Sequence, residues 1–346
     1  MLVMSFFSCS IYKQLYFKES NSIMNYLFKP TSFLAGALLT ASSFLNAGTV
    51  ADPVATTPVG YTTTSVPAGS AVISATFVNS DSYVGQVVSV SGAQITFAAS
   101  SFTAGDFDEG DFPAYYVEIT EDGHPYEGQL FDILSNTSDT VTVAGVPDLT
   151  VFSLVTSDSV VIRKHFTLSQ LFESPSVALG SFVEAAKFFN SDTTDSVYTW
   201  TGSIWSSDFG TTDEGNRHIY PGEGILLSSS VARDLVISGT VKVTPTRLPI
   251  LASNSILVLV GSTSPSDTTL GELGFANSLD DFTGTVKFFN NDGALSSGEV
   301  YTDWGSFMTN DFGTTDSSDV VVPAGQPLLV SNGSNKTISL PAPYTP

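Results

Sequence analysis

The stretch Ala186-Lys187-Phe188-Phe189-Asn190 returns as Val286-Lys287-Phe288-Phe289-Asn290, one hundred positions later in the chain. Three further blocks return at offsets of 102 or 103 residues. They are Asp208–Asp213 as Asp311–Asp316, Pro221–Leu227 as Pro323–Leu329, and Thr167–Leu171 as Thr269–Leu273. Self-similarity at a nearly fixed period indicates that two copies of one supersecondary unit lie in tandem.

Short β-branched and aromatic runs recur at intervals of about ten residues and are separated by Gly, Asn, Asp and Pro, a pattern typical of sandwiches and barrels. The sequence therefore predicts an all-β protein. An N-terminal sandwich or barrel-like β-domain is expected over 59–165, β-repeat 1 over 166–246 and β-repeat 2 over 247–346. Thr167–Phe172 and Thr268–Leu273 are each expected to form a short helix capped by threonine.

The first 47 residues have the pattern of a secretory signal peptide. Phe28-Lys29 is followed by the uncharged apolar run Ser32–Leu45 and then by Ala47. Cleavage after Ala47 is expected, with Ala51 as the alternative, and Met24 offers a second start directly before this segment. Residues 48–58 then form a flexible lead-in of small residues and proline. We expect export through a Sec-type pathway, to the medium or the cell surface.

The net charge limits which partners the chain can bind, and the cysteine content limits how its fold can be stabilised. The chain carries 12 Lys+Arg and 34 Asp+Glu, and its only cysteine is Cys9. Removing 1–47 leaves nine basic and thirty-three acidic residues, a net charge of −24. Such a field repels nucleic acid and anionic membranes and attracts divalent cations. No disulfide can form in the mature chain, so its stability must come from burial, β-pairing or metal ions.

The repeated blocks also carry a resemblance. Tyr-rich and Trp-rich strands (Val197–Trp200 and Ile204-Trp205) precede the acidic Gly-Thr-Thr loop and the Pro221-Gly222 turn. Together with Tyr116–Thr142, this arrangement resembles an uncharacterised family of secreted all-β repeat proteins common in verrucomicrobial bacteria. The resemblance covers most of 58–341 and implies secretion and the β-fold. It brings no assigned activity and no catalytic residue.

A search for catalytic motifs finds none. The sequence contains no HExxH, CxxC, GxSxG, phosphate loop or GxGxxG. The three histidines, His124, His165 and His218, are expected to be solvated, and His218 has no histidine counterpart in the second copy. Carboxylates are abundant, so a hydrolase that uses an acidic pair stays open as an alternative.

The duplicated acidic loops are the candidate metal site. Asp208 and Asp213 return as Asp311 and Asp316, with glycine and two threonines between them. Calcium takes several hard oxygen ligands from carboxylates, hydroxyls and carbonyls on a curled backbone. The competing interpretation is a plain turn, because Asp bonds its own backbone and Gly accepts positive φ. No other cofactor is expected.

Five aromatic residues are the candidate ligand-binding set, because exposed aromatic rings stack on sugars. They are Tyr198, Trp200, Trp205, Tyr301 and Trp304. Paired aromatics on neighbouring strands are equally typical of a sheet core. The two interpretations predict opposite orientations of the rings.

The function expected from these observations is a structural or interaction role in the envelope or extracellular matrix, without catalysis. The first alternative is a carbohydrate-binding or calcium-binding extracellular module, and the second is the acidic-pair hydrolase. Expected partners are extracellular polysaccharide or other envelope proteins. Nucleic acid is excluded by charge, and no membrane insertion is expected after signal cleavage.

Overall fold

A computed structural model of the chain describes residues 58–344, apart from 109, 111, 174, 190–194, 209–210, 253–257, 277 and 312. The predicted signal peptide and the lead-in as far as residue 57 lie outside the described residues, as does Asn190. Among the described residues, strands account for 44% and helices for 3%, so the all-β prediction is confirmed.

Twenty-five strands are seen in the described part of the chain. In order they are β1 (Val59–Val66), β2 (Gly69–Ser74), β3 (Asp81–Gln86), β4 (Ser89–Ser91), β5 (Gln94–Thr96), β6 (Tyr115–Ile119), β7 (Leu130–Asn136), β8 (Thr140–Val143), β9 (Ser159–Lys164), β10 (Phe166–Thr167), β11 (Ala185–Phe189), β12 (Asp195–Trp200), β13 (Trp205–Ser206), β14 (His218–Ile219), β15 (Gly224–Ser229), β16 (Arg233–Thr240), β17 (Thr246–Ile250), β18 (Val258–Gly261), β19 (Thr268–Thr269), β20 (Thr285–Phe289), β21 (Ser297–Asp303), β22 (Met308–Thr309), β23 (Val321–Val322), β24 (Pro327–Ser331) and β25 (Lys336–Leu340).

Two five-stranded antiparallel sheets have the same strand order. The first is β13-β12-β11-β15-β2 and the second is β22-β21-β20-β24-β18. Each is accompanied by two separate strand pairs, β1-β16 and β10-β14 in the first copy, β17-β25 and β19-β23 in the second. The most strongly duplicated block forms the central strands: Lys187 lies opposite Leu226, and Lys287 lies opposite Leu329.

The remaining seven strands, β3 to β9, form one sheet in the order β3-β9-β6-β7-β8-β5-β4. Along most of its strands, more buried and less buried side chains alternate, as expected for a sheet with one face against a core. On β8, for example, Val141 and Val143 are buried, whereas Thr140 and Thr142 are half-buried. The buried residues of this sheet form a core of their own, which includes Ile95, Phe131 and Ile162.

The strand pairing differs from the predicted domain boundaries. Residues 59–165 were expected to form one domain, but β1 pairs with β16 and β2 pairs with β15. Ile73 and Phe77 accordingly share a core with Phe188 and Trp205 of the first copy. The seven-stranded sheet is therefore inserted after β2. Alternation defines a strand but does not specify which sheet it joins, so the sequence pattern could not reveal this insertion.

Only one of the two expected helices is a helix. Helix α1 (Leu168–Leu171) begins at Thr167, whose hydroxyl accepts from Gln170 N while the Gln170 side chain accepts from Thr167 N. In the second copy Thr269 and Glu272 make the same reciprocal bonds, yet the backbone forms only a turn. Gly271 stands there in place of Ser169, and glycine is a poor helix former.

A buried cluster of charges joins the inserted sheet to the connector between the two copies. Glu118 on β6 accepts from Lys242 Nζ at 2.5 Å and also from Arg163 Nη1 on β9. Lys242, just after β16, also donates to the Thr244 hydroxyl at 2.6 Å. Glu118 and Lys242 are fully buried. Burial raises the pKa of Glu118, but the charges of Lys242 and Arg163 outweigh it and hold this pKa below its usual range.

Replacing Lys242 with methionine should lower the free energy of unfolding by about 3–5 kcal/mol, because the change leaves a buried carboxylate with one cation fewer. Urea denaturation measures this loss. The double variant with Glu118→Gln should recover part of it.

Lys336→Met is the matched control for this experiment. Lys336 Nζ lies 2.9 Å from an Asp280 carboxylate oxygen, and both side chains are partly exposed. Loss of such a pair should cost roughly 0–1 kcal/mol. Equal losses in Lys242→Met and Lys336→Met would show that the buried cluster does not tie the sheets together.

Candidate functional site

In the second copy, the acidic loop follows β22 and is organised by one carboxylate. Asp311 Oδ1 accepts from the Thr309 hydroxyl at 2.6 Å, from Thr314 N at 3.1 Å and from Thr315 N at 3.0 Å. Its Oδ2 accepts from the Thr314 hydroxyl at 2.5 Å. Both oxygens of Asp311 are therefore occupied by donors of the loop itself.

The first copy repeats this arrangement after β13. Asp208 Oδ1 accepts from the Ser206 hydroxyl at 2.5 Å and from Thr211 N at 3.1 Å, and Oδ2 accepts from the Thr211 hydroxyl. The second aspartate of each loop closes the following turn. Asp213 accepts from Gly215 N at 3.0 Å, and Asp316 accepts from Ser318 N at 2.9 Å. Residues 209, 210 and 312 of these loops lie outside the described residues.

These hydrogen bonds lower the pKa of the first aspartate in each loop. Donation from Ser206 and then Thr211 holds the pKa of Asp208 far below its usual range. Donation from Thr309 and Thr314 does the same to the pKa of Asp311. In the part of the chain that the structure describes, no group of three or more His, Cys, Asp or Glu residues could hold a metal ion. The geometry therefore corresponds to the turn interpretation of Asp208, Asp213, Asp311 and Asp316.

The glycine of the second loop has a packing role. Gly313 has φ +88°, and a Cβ at this position would overlap the indole ring of Trp304. The Trp304 ring in turn contacts Phe282 edge-to-face, with ring centroids 4.7 Å apart. The loop motif thus combines carboxylate-capped turns with a glycine that lets an aromatic ring lie against the backbone.

Three of the five aromatic residues predicted to bind a ligand are buried, which contradicts that role for them. Tyr198, Trp205 and Tyr301 are 5%, 1% and 3% exposed. Tyr198 packs on Phe188 and Tyr301 on Phe288, so their rings fill the sheet cores and offer no face to a sugar. The sequence left this orientation open because the same aromatic pairing suits either face of a sheet.

Trp200 and Trp304 are half-buried. Trp200 is the last residue of β12, whereas Trp304 directly follows β21 in the other copy. Trp200 packs on Trp205 with ring centroids 5.6 Å apart. The strand pairing sets Trp200 opposite Trp205 and Asp303 opposite Met308. Trp200 therefore corresponds in position to Asp303 and not to Trp304. The predicted set of five does not form one binding face.

Two exposed phenylalanines were not singled out by the sequence. Phe182 and Phe282 are 58% and 59% exposed. Both have positive φ, 60° and 64°, a region that bulky residues rarely adopt. Phe182 N donates to Trp200 O at 2.6 Å, and Phe282 N donates to Asp303 O at 2.7 Å. The same strained turn thus displays an aromatic side chain in each copy.

Two of the histidines expected at the surface are buried in one polar and aromatic cluster. His165 Nε2 lies 3.0 Å from Asp132 Oδ1, and the Tyr220 hydroxyl donates to Asp132 Oδ2 at 2.5 Å. The His165 and His218 rings are 4.9 Å apart. The Nδ1 atoms of both histidines are enclosed and without a hydrogen-bond partner among the described residues. Neither therefore presents Nδ1 to solvent as a general base would.

The electrostatics of this cluster favour neutral His218. Burial, followed by the nearby positive charge of Arg217, lowers the pKa of His218 to about 3. Burial opposes ionisation of Asp132, but hydrogen bonds from His165 and Tyr220 hold its pKa below the usual range. No sequence pattern predicted this cluster, because its members come from three separate segments without a common spacing.

The larger clefts do not bring an acidic pair together in the described part of the chain. Four clefts have volumes of about 390, 330, 410 and 200 Å³. Among the described lining residues, each cleft has a single carboxylate, which is Glu223 in the first, Asp234 in the second and Asp213 in the last two. Glycosidases place two carboxylates across one cleft.

Comparison of the chain with protein-family models, with curated proteins and with solved structures finds no match. Among residues 58–344, as far as the structure describes them, no helix has the length and apolar character needed to cross a membrane.

Calcium and magnesium should raise the melting temperature equally at matched ionic strength, because the loop carboxylates are already occupied and both ions only screen the negative charge. Differential scanning calorimetry measures this effect. If calcium acts more strongly, and this excess disappears in the Asp208→Asn/Asp311→Asn double variant, the loops bind calcium after all.

The free energy of unfolding should fall as pH falls from 7 to 5.5. The pKa of His218 is about 3 in the folded protein and about 6.5 in an unfolded chain, so only the unfolded state gains a proton in this window. The contribution of His218 to the free energy of unfolding is therefore fully present well above pH 6.5. It falls as the pH drops below 6.5, with a slope approaching about 1.4 kcal/mol per pH unit. Urea denaturation at each pH should show a reduced slope in His218→Gln. A slope in His218→Gln equal to that of the wild type would contradict this assignment.

Proposed function

We propose that the chain is a secreted or cell-surface protein with a structural or interaction role in the envelope or extracellular matrix, and that it is not a catalyst. Its signal peptide directs export through a Sec-type pathway. Its partners are extracellular polysaccharide or other envelope proteins. The resemblance to secreted all-β repeat proteins of verrucomicrobial bacteria is part of this proposal.

One observation carries the proposal: the duplicated loops use their own side chains to build turns. Asp208 and Asp311 each accept hydrogen bonds from hydroxyl and backbone N–H groups of the same loop. A motif that is kept in two copies and is satisfied internally supports a role in shaping the surface of the fold. The same observation weighs against the calcium-binding alternative.

The interaction part of the proposal rests on the two displayed phenylalanines. An exposed aromatic side chain on a backbone with positive φ costs free energy of order 1–3 kcal/mol, and such strain clusters at functional sites. Phe182 and Phe282 carry it at corresponding turns. This supports contact with a partner at both copies. The acidic-pair hydrolase has no comparable support, since the described lining residues of each of the four larger clefts include one carboxylate.

Cell fractionation tests the proposed location. A chain with a carboxyl-terminal epitope tag, produced in its organism of origin, should be found in the envelope or medium. Its intact mass should correspond to a start at Gly48, because the apolar run Ser32–Leu45 is followed by the small residue Ala47.

A variant without residues 24–47 is the control and should remain in the cytoplasm. A wild-type chain that stays in the cytoplasm at full length would contradict the proposal. Recovery from the medium with Met24–Ala47 attached would contradict the proposed cleavage only.

A further inference from the structure

A cleft of about 390 Å³ is lined by residues of the inserted sheet and of both repeated sheets. Gln129 and Leu130 come from the segment of the inserted sheet. Tyr220 belongs to the first copy, and Arg247 and Leu248 belong to the second copy. We propose that this cleft binds a small organic carboxylate with an apolar body. The inference does not depend on the structural role proposed above.

Arg217 provides a buried donor in the wall of this cleft. The residue is 7% exposed, and its guanidinium group lies over the Phe188 ring at 4.2 Å. Nη2 donates to Glu223 Oε1 at 3.1 Å, but Nη1 has no hydrogen-bond partner among the described residues. A buried cationic donor without an acceptor is unfavourable, so an incoming anion would satisfy a bond that the fold leaves unmade.

Arg247 provides a second guanidinium group in a fixed orientation. Nε donates to Glu127 O at 3.0 Å, and Nη2 donates to Pro125 O. The group also lies over the Tyr126 ring at 5.3 Å. No ion pair of Arg247 with a carboxylate occurs within the described ranges. Its positive charge is therefore positioned by neutral carbonyl groups and is not neutralised by them.

The charge of the cleft is opposite in sign to that of the chain. Arg217 and Arg247 are two of only four arginines, in a chain with a net charge of −22. Among the described lining residues, Glu223 is the one carboxylate. Its Oε1 accepts from Arg217 and its Oε2 accepts from Tyr220 N at 3.0 Å, so both oxygens are engaged. One positive charge is left for a ligand.

The remaining walls define the rest of the ligand. Leu130, Pro221, Leu248 and Leu259 provide apolar surface next to the two arginines. A cleft of this volume lies within the range of small-molecule sites, in which apolar walls hold the ligand body and a few polar groups fix its orientation. Guanidinium groups match the planar, two-oxygen geometry of a carboxylate. A monoanionic carboxylate with an apolar body fits both the charge and the walls.

Titration calorimetry with 4-phenylbutanoate tests the proposal, with 4-phenylbutanamide as the neutral probe of the same shape and inorganic phosphate as the anion without an apolar body. The carboxylate should bind at least about tenfold more tightly than either of the other two probes, because only it offers both charge and apolar surface.

Arg217→Gln and Arg247→Gln should each weaken carboxylate binding by about tenfold or more. Lys287→Gln removes one positive charge from a residue outside the cleft lining and should leave binding unchanged. Circular dichroism checks the fold of each variant. If Arg217→Gln does not fold, Arg247→Gln decides the outcome, since Arg247 is partly exposed and has no ion pair to lose.

Any of the following results would overturn the proposal. The first is equal affinity for the carboxylate and the amide, which would indicate a merely apolar cleft. The second is phosphate binding as tight as that of the carboxylate. The third is no binding of 4-phenylbutanoate up to about 10 mM, since a site weaker than this holds its ligand by less than one well-made contact. The fourth is carboxylate binding that Arg247→Gln leaves unchanged.

Discussion

A fully buried carboxylate is one of the contacts that hold the inserted sheet against the rest of the chain. Glu118 accepts hydrogen bonds from Arg163 in its own sheet and from Lys242 in the connector between the two copies. A charge that is fully removed from water tolerates few alternative geometries, because each displaced partner leaves an uncompensated charge. In a chain whose only cysteine is Cys9, this cluster links segments that are distant in sequence, as a disulfide does in many proteins of oxidising compartments. The cleft with Arg217 and Arg247 requires that link, since its walls come from all three sheets.

The two copies show how one strand plan accepts different surroundings. The first copy holds an inserted sheet after β2, whereas the second continues directly from β18 to β19. The sheet order is the same in both. The copies differ at the edge strands, where Trp205 stands opposite Trp200 but Met308 stands opposite Asp303. They also differ in the central pair, because the register of β20 and β21 shifts between Lys287 and Phe289, whereas that of β11 and β12 is continuous. The histidine cluster likewise forms only in the first copy, where the insertion brings Asp132 to His165 and Tyr220.

Local patterns in the sequence predicted local structure well. Alternation of apolar and polar residues predicts strands at Tyr115–Thr120, Gln129–Leu134 and Thr140–Val143. These three runs coincide closely with β6, β7 and β8, because alternation is the direct pattern of a half-buried strand. The threonine cap predicted at Thr167 is present at the start of α1. Local patterns do not specify which distant segments pair, so the partners of β1 and β2 were not predicted. The cleft was missed for the same reason, since Arg217 and Arg247 form no motif along the chain.

The insertion also bears on the order in which the chain acquires its structure. Val59 pairs with Thr240, so β1 has no partner until the whole inserted sheet and most of the first copy have been made. Thr246 pairs with Leu340, and all strands of the second copy follow one another without interruption. Pairing across a long intervening segment is slow, because loop closure precedes the gain from contact. The sheet that begins first along the chain is thus closed by residues that come late. Until then β1 and β2 carry unpaired edges, which makes the amino-terminal strands the part of the molecule most exposed to misassembly during its synthesis.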